Sequence, residues 1–398
     1  MVSFVPAGSV AICTSRRVIF IANWPDLRCT TRLCTRAIAL HTVHRWPADV
    51  DPAHQVSCHL YADDTQVYGS CRPADADRLL ERLAACVNDI IRWMGSNRLQ
   101  INPTKTELLW CHSVRRPCRT GSLLIGDIEV APSTSVRNLG VQVDAGLTMC
   151  NQIALLVSRC FGALRQLRSV RQYVNVPVIQ TMVTSLVLSR LDYANSVLYG
   201  LPAVNIRRLQ SVQNAAARLV FNLRRSDHVT DALICLHWLR VTERIRFKMA
   251  VLVYRSLHGS APSYLANFCA VSSNPGRRAL RSANTTRLDV PRTRCSTIGA
   301  RSFPVGGAVV WNSLPLDVTS APSLPVFRRR LKSFFYLGNH FLVQLFNKHC
   351  AHCFIVCLHC VSALMTFNCR HVKYILVIII IIITYMLIFM FYKWYYDK

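Results

Sequence analysis

The chain has 398 residues, enough for two or more domains with a real core. Its 47 arginines and lysines, of which seven are lysines, stand against 20 carboxylates for a net charge of +27, an arginine excess that suits a phosphate-bearing partner because guanidinium groups grip phosphate oxygens in pairs and stack on bases. The 18 cysteines lie scattered in apolar and basic runs behind a start, Met1-Val2-Ser3-Phe4-Val5-Pro6, unlike a secretory signal, which sets aside a disulfide-stapled secreted domain in favour of reduced thiols in the nucleus or cytoplasm.

Residues 1–56 follow no helical or strand period and mix Arg, Cys, Trp and Pro, so an irregular segment is expected there. His59-Leu60-Tyr61-Ala62-Asp63-Asp64-Thr65-Gln66-Val67-Tyr68 is different. Two apolar, aromatic-bearing runs flank adjacent carboxylates, the pattern of a β-hairpin with Asp63 and Asp64 at its tip. Adjacent ionised carboxylates repel, and a fold that keeps both charged usually supplies cations. The plain alternative is a solvated turn. Downstream, Leu79, Leu80, Leu83, Val87, Ile90, Ile91 and Met94 recur at helical spacing and end near Gly95 and Asn97. A turn through Asn102-Pro103-Thr104-Lys105 then leads into the apolar run Leu108-Leu109-Trp110.

The Tyr-Ala-Asp-Asp frame and the helix, turn and strand after it resemble the catalytic hairpin and following elements of the reverse transcriptases of animal non-LTR (LINE-type) retrotransposons. The resemblance runs from about Ser57 to Phe335, and its later blocks, Leu191-Asp192-Tyr193-Ala194 and Trp311-Asn312-Ser313-Leu314-Pro315, are similar to the ends of such elements. It implies an RNA-directed DNA polymerase that copies an RNA template from a DNA primer. Asp63 and Asp64 would ligate Mg²⁺, Asp63 the more directly, while Tyr61 and Ala62 shape the floor beneath the primer terminus. Lys105 would stand near the leaving pyrophosphate, although a surface lysine in a turn explains it equally well. Asn138-Leu139-Gly140-Val141-Gln142-Val143-Asp144 would be the small hairpin that grips the primer.

The same resemblance implies an earlier strand bearing a further aspartate. Before Tyr61 the carboxylates are Asp26, Asp49 and Asp51, in Pro- and Arg-rich surroundings, and Arg28-Cys29-Thr30 does not continue the motif that Asp26-Leu27 echoes. Two ions about 4 Å apart need ligands from both flanks, so the chain alone is expected to be inactive. Codons for His41-Thr42-Val43-His44-Arg45-Trp46-Pro47, read one base later, can spell Ile-Leu-Tyr-Thr-Ala-Gly-Leu, similar to the apolar segment these elements carry before the hairpin. A frame slip would make the N-terminal region a mistranslated fossil, though codon degeneracy permits many respellings.

From about residue 151 to 259 the pattern is helical. Ile153, Leu156, Cys160, Leu164 and Leu167 form one stripe, and Pro177 suits the first turn of a helix running through Met182 and Leu186 towards Leu191. Over residues 205–225, Leu209, Val212, Ala216, Leu219 and Leu223 share one arc, and Arg207, Arg218 and Arg225 fall together on the opposite face. Asp and Glu are absent from that stretch, so an arginine ridge lying along duplex phosphates is expected; GC-rich coding sequence is the competing source of arginines elsewhere. Thr242 to His258 reads as another helix, ended by Gly259.

Residues 272–297 read as an exposed basic linker, and Arg328-Arg329-Arg330-Leu331-Lys332 as either a nucleic-acid contact or a helix end. Cys350, Cys353, Cys357 and Cys360, with His352, His359, Cys369 and His371, offer two Cys-x-x-Cys pairs; only Phe354-Ile355-Val356 separates them, which argues against zinc. The 18 uncharged residues from Ile375 to Tyr392, flanked by Lys373 and Lys393, reach the minimum for a transmembrane helix. Six successive isoleucines, Ile378 to Ile383, equally fit a translated trinucleotide repeat.

The expected fold class is therefore α+β. Residues 1–56 are irregular, 57–145 a partial polymerase palm (catalytic hairpin, helix and strand), 146–260 a helical thumb, 261–336 a basic linker and element-end segment, and 337–398 a Cys-rich hydrophobic C-terminal tail. The expected function is a reverse-transcriptase fragment, nuclear or cytoplasmic. Its rivals are a non-catalytic nucleic-acid-binding remnant and a protein tethered to a membrane by its tail.

Overall fold

Strand alternation and one amphipathic helix build the first layer. The computed structural model describes residues 16–23, 54–61, 64–96, 101–102, 105–112, 121–265, 268, 286–293 and 298–336. Five strands form one sheet in the order β2-β3-β1-β4-β7, with β1 at Arg16–Asn23, β2 at Ser57–Tyr61, β3 at Asp64–Cys71, β4 at Glu107–Cys111 and β7 at Pro132–Ser133. All its pairings are antiparallel except that of β7 with β4. Strand β1 departs from the irregular N-terminus that the sequence suggested: it pairs with β3 on one side and β4 on the other. Its Val18-Ile19-Phe20-Ile21 run has strong strand propensity but is too short to register as a period.

Helix α1 (Ala76–Ser96) buries Leu79, Leu83, Val87, Ile90 and Met94 of the stripe its spacing predicts, and Cys86 beside them, against this sheet. Leu80 and Ile91 lie half-buried at its margin. The helix packs on β3 and on β5 (Leu123–Ile125), which pairs with β6 (Ile128–Val130). Successive strand residues point to opposite faces, and β4 is covered on both. Leu108 and Trp110 join the α1 core, while Leu109 and Cys111 meet Val136 of β8 (Ser135–Asn138). That double cover explains the unbroken apolar run.

A tight hairpin joins β8 to β9 (Val141–Asp144) through Leu139 and Gly140, both at positive φ, 44° and 82°. This is a primed turn, matched to strand twist. The Asp144 carboxylate then accepts from the backbone N–H of Thr148 and of Met149, each at 2.7 Å, and seats the start of helix α2 (Cys150–Val170).

The helical part follows. Asn175 caps the next rod by accepting from the Val178 N–H at 3.1 Å, with Pro177 in the first turn as predicted. That rod comprises α3 (Val176–Val183), a π turn (Thr184–Leu188) and α4 (Ser189–Asp192). Helices α5 (Ala203–Phe221), α6 (Thr230–Cys235) and α7 (Val241–Leu257) complete one apolar cluster in which Ile153, Leu156, Cys160 and Leu164 meet Val183, Val187, Leu209 and Val212. Helix α5 stops at Phe221 because Asn222 turns left-handed, φ 53°.

Four further helices, α8 (Ile298–Arg301), α9 (Phe303–Asn312), α10 (Leu316–Thr319) and α11 (Leu324–Tyr336), close the described chain. Phe327 stacks on Tyr254 and Trp311, with ring centroids 4.4 and 5.8 Å away. The Trp311-Asn312 pair is a packing device: Trp311 Nε1 donates to the Thr286 carbonyl at 2.8 Å, and the Asn312 amide exchanges two bonds with the Leu288 backbone. Among the described residues no helix is long and apolar enough to cross a membrane. The 375–392 segment, the Cys/His cluster from Cys350 to His371 and most of the basic linker lie outside them.

Candidate functional site

Strands β2 and β3 pair with Tyr61 opposite Asp64, which leaves Ala62 and Asp63 as a two-residue connection. The backbone on either side therefore forms the hairpin that the sequence predicts. Ala62, Asp63 and the side chain of Tyr61 lie outside the described residues. Asp64 opens β3 and is half-buried. On the far side of β3, Asn23, the last residue of β1, pairs with Asp64. The register of β1 with β4 sets Ile21 opposite Glu107, the first residue of β4; Lys105 lies two residues before that strand, in a turn where its backbone N–H donates to the Asn102 carbonyl at 3.2 Å. It is exposed there.

One end of the sheet thus holds Asp64 and Asn23 side by side, with Lys105 in the turn that leads into β4. Two-ion chemistry needs carboxylates from more than one strand, and the residue level with Asp64 on β1 is an amide. Among the described residues no group of three or more His, Cys, Asp or Glu side chains is placed to hold a metal ion. The described donors do not by themselves fit a complete two-ion site.

Behind the tip, the polar core went unseen in the sequence. Gln66 donates through Nε2 to Oδ1 of Asn138 at 2.7 Å, and the two residues are 4% and 7% exposed. This bond ties the Asp-bearing strand to the β8–β9 hairpin. Nothing local sets Gln66 apart in the sequence, since β3 also carries Asp64, Thr65 and Ser70. His59, opposite Gln66 on β2, packs edge-on against Tyr264 with centroids 5.4 Å apart. Burial holds its imidazole below the usual histidine range.

The predicted arginine ridge divides into different environments. Arg207 is exposed on α5. Arg218 is half-buried on the same helix, and its Nη2 donates to the Asp227 carbonyl at 3.3 Å. Arg225 is exposed beyond the Asn222 cap, so helical phase does not fix its direction. Other arginines hold the fold together. Arg171 donates to the carbonyls of Leu219 and Val220, satisfying groups at the end of α5 that the helix leaves unpaired, and to the carbonyl of Val174. Arg244 grips the Asp192 carboxylate through Nε and Nη2 at 2.8 and 2.7 Å. Between Asp144 and Asp227 the chain carries ten arginines and a single carboxylate, that same Asp192. The helical part therefore projects a positive field.

No protein-family model matches this chain, and a comparison with curated proteins finds no match.

Proposed function

We propose that this chain is the C-terminal part of a non-LTR retrotransposon reverse transcriptase that binds nucleic acid but does not polymerise it alone. The observation that carries the reading is the Tyr61-Ala62-Asp63-Asp64 sequence at a two-residue strand connection. In this reading β2, β3, α1 and β4 belong to a polymerase palm, β8–β9 faces the primer, and α2 to α7 form the thumb. Asp63 and Asp64 supply Mg²⁺ ligands from one flank, Tyr61 and Ala62 underlie the primer terminus, and Lys105 stands on the pyrophosphate side. Asp63 and Asp64 would hold Mg²⁺, which would supply Lewis-acid chemistry for phosphoryl transfer. Among the described residues, the position level with Asp64 on β1 is an amide, Asn23, which supports the inactive assignment.

Nucleic-acid binding rests on the arginine field and needs no metal site. The full chain in detergent is expected to bind labelled RNA–DNA and DNA duplexes with an affinity that falls steeply as salt rises. Primer extension is expected to be absent. Mg²⁺-dependent incorporation that disappears in Asp63→Ala overturns the inactive assignment, and no binding at low salt overturns the nucleic-acid reading. By family the compartment is nuclear or cytoplasmic. The uncharged run from Ile375 to Tyr392 favours one second reading, membrane association through the tail.

A further inference from the structure

A cavity of about 520 Å³ opens where the β8–β9 turn meets α2 and α4. That volume suits one small ligand and is far too small for a duplex. Leu155 and Tyr193, 36% and 49% exposed, give it an apolar and aromatic lining. The Tyr193 hydroxyl donates to the Leu139 carbonyl at 2.6 Å, pinning the ring beside the turn. A Cβ on Gly140 would stand 3.7 Å from the ring edge, so the turn closes against the ring with no side chain between them.

Two guanidinium groups, Arg159 and Arg190, share the lining. Arg190 donates one Nη1 bond to the Arg159 carbonyl at 3.4 Å, which leaves its other N–H groups for a ligand. Among the described residues neither arginine pairs with a carboxylate. The π turn at Thr184–Leu188 lies immediately before Ser189 and Arg190. One added residue in a helix rotates everything after it by about 100°, and both residues after this turn line the cavity.

We propose that this cavity takes one unpaired nucleotide of a bound strand, its base against Leu155 and Tyr193 and its phosphate on Arg159 and Arg190. The inference rests on the nucleic-acid reading above and adds a strand preference to it. An aromatic face beside an apolar floor is poorly used by phosphate alone, and two unpaired guanidiniums are poorly used by an apolar ligand.

The test compares, for the full chain in detergent, a blunt duplex with the same duplex carrying a single-nucleotide overhang. The overhang is expected to tighten binding about tenfold, and 2-aminopurine placed there is expected to lose emission on binding. Adenosine monophosphate should remove the preference at concentrations where inorganic phosphate does not. The Arg159→Ala, Arg190→Ala double variant should bring the ratio of affinities to near one. Leu155→Glu should do the same from an exposed position where folding, checked by circular dichroism, is retained. Equal binding of blunt and overhanging duplexes by the unaltered chain overturns the subsite and leaves the nucleic-acid reading standing. Loss of the preference to phosphate alone overturns the base contact. No binding of either duplex removes both the subsite and the reading it rests on.

Discussion

Gln66 and Asn138 are 72 residues apart in sequence and share one hydrogen bond in a nearly dry site. Replacing Gln66 by Leu leaves the Asn138 amide buried without its partner, at an expected cost of about 1–3 kcal/mol. Adding Asn138→Leu should cost less than the sum of the single changes; urea denaturation of the four chains in the cycle measures the difference, and strict additivity would mean that the amides do not couple. His59 gives a second test. Its folded pKa lies below the ordinary 6.5 because burial disfavours the charged ring. As pH falls through 6.5 the unfolded chain takes up the proton first, so the stability present above that value is lost towards the folded pKa. His59→Gln is expected to flatten the loss of stability as pH falls below the ordinary 6.5, and parallel melting curves for the two proteins would exclude that role. The hairpin on either side of Ala62 and Asp63 was legible because its pattern is local: two charges between two strand runs. The Gln66–Asn138 bond was not, because no local pattern says which distant amide a buried glutamine will meet.

At the scale of elements, the apolar stripes of α1, α2 and α5 were legible from spacing alone. The end of α5 was not. Leu223 continues the three-and-four spacing past Phe221, but Asn222 adopts the left-handed conformation and breaks the phase. The π turn was equally silent, since Thr184-Ser185-Leu186-Val187-Leu188 differs in no local way from ordinary helix. These limits reshape the arginine prediction. Arg207→Ala and Arg225→Ala should each lower the slope of log affinity against log salt by about one. Arg218→Ala should act on folding, with a loss of about 1 kcal/mol, because its half-buried guanidinium bonds the Asp227 carbonyl. Anisotropy titrations at several salt concentrations, with urea melts of the same proteins, separate the two effects. A salt slope altered by Arg218→Ala alone would reverse the assignment.

On the scale of the whole molecule, net charge overstates the surface available to phosphate, since Arg171 and Arg244 serve the interior. The tail should govern handling independently of binding. Deleting residues 371–398 is expected to move the protein from a detergent-requiring fraction to a soluble one without changing its affinity for duplexes. A full chain that is monomeric without detergent would overturn that expectation. The α+β class was readable from the alternation of patterns, whereas the membership of residues 16–23 in the sheet was hidden by the brevity of their apolar run.

Strand β1 has one more consequence. Without it, β3 and β4 would each present an open row of backbone donors and acceptors, the kind of edge on which chains polymerise. A chain beginning at Ser57 is therefore expected to aggregate even after its tail is removed, which sedimentation would detect. Backbone pairing is nearly blind to side-chain identity. If the first residues are read in a shifted frame, the slot in the sheet has been filled by adoption instead of descent: a short run of β-branched residues, never selected for the place, held there by the unmet hydrogen bonds of its neighbours.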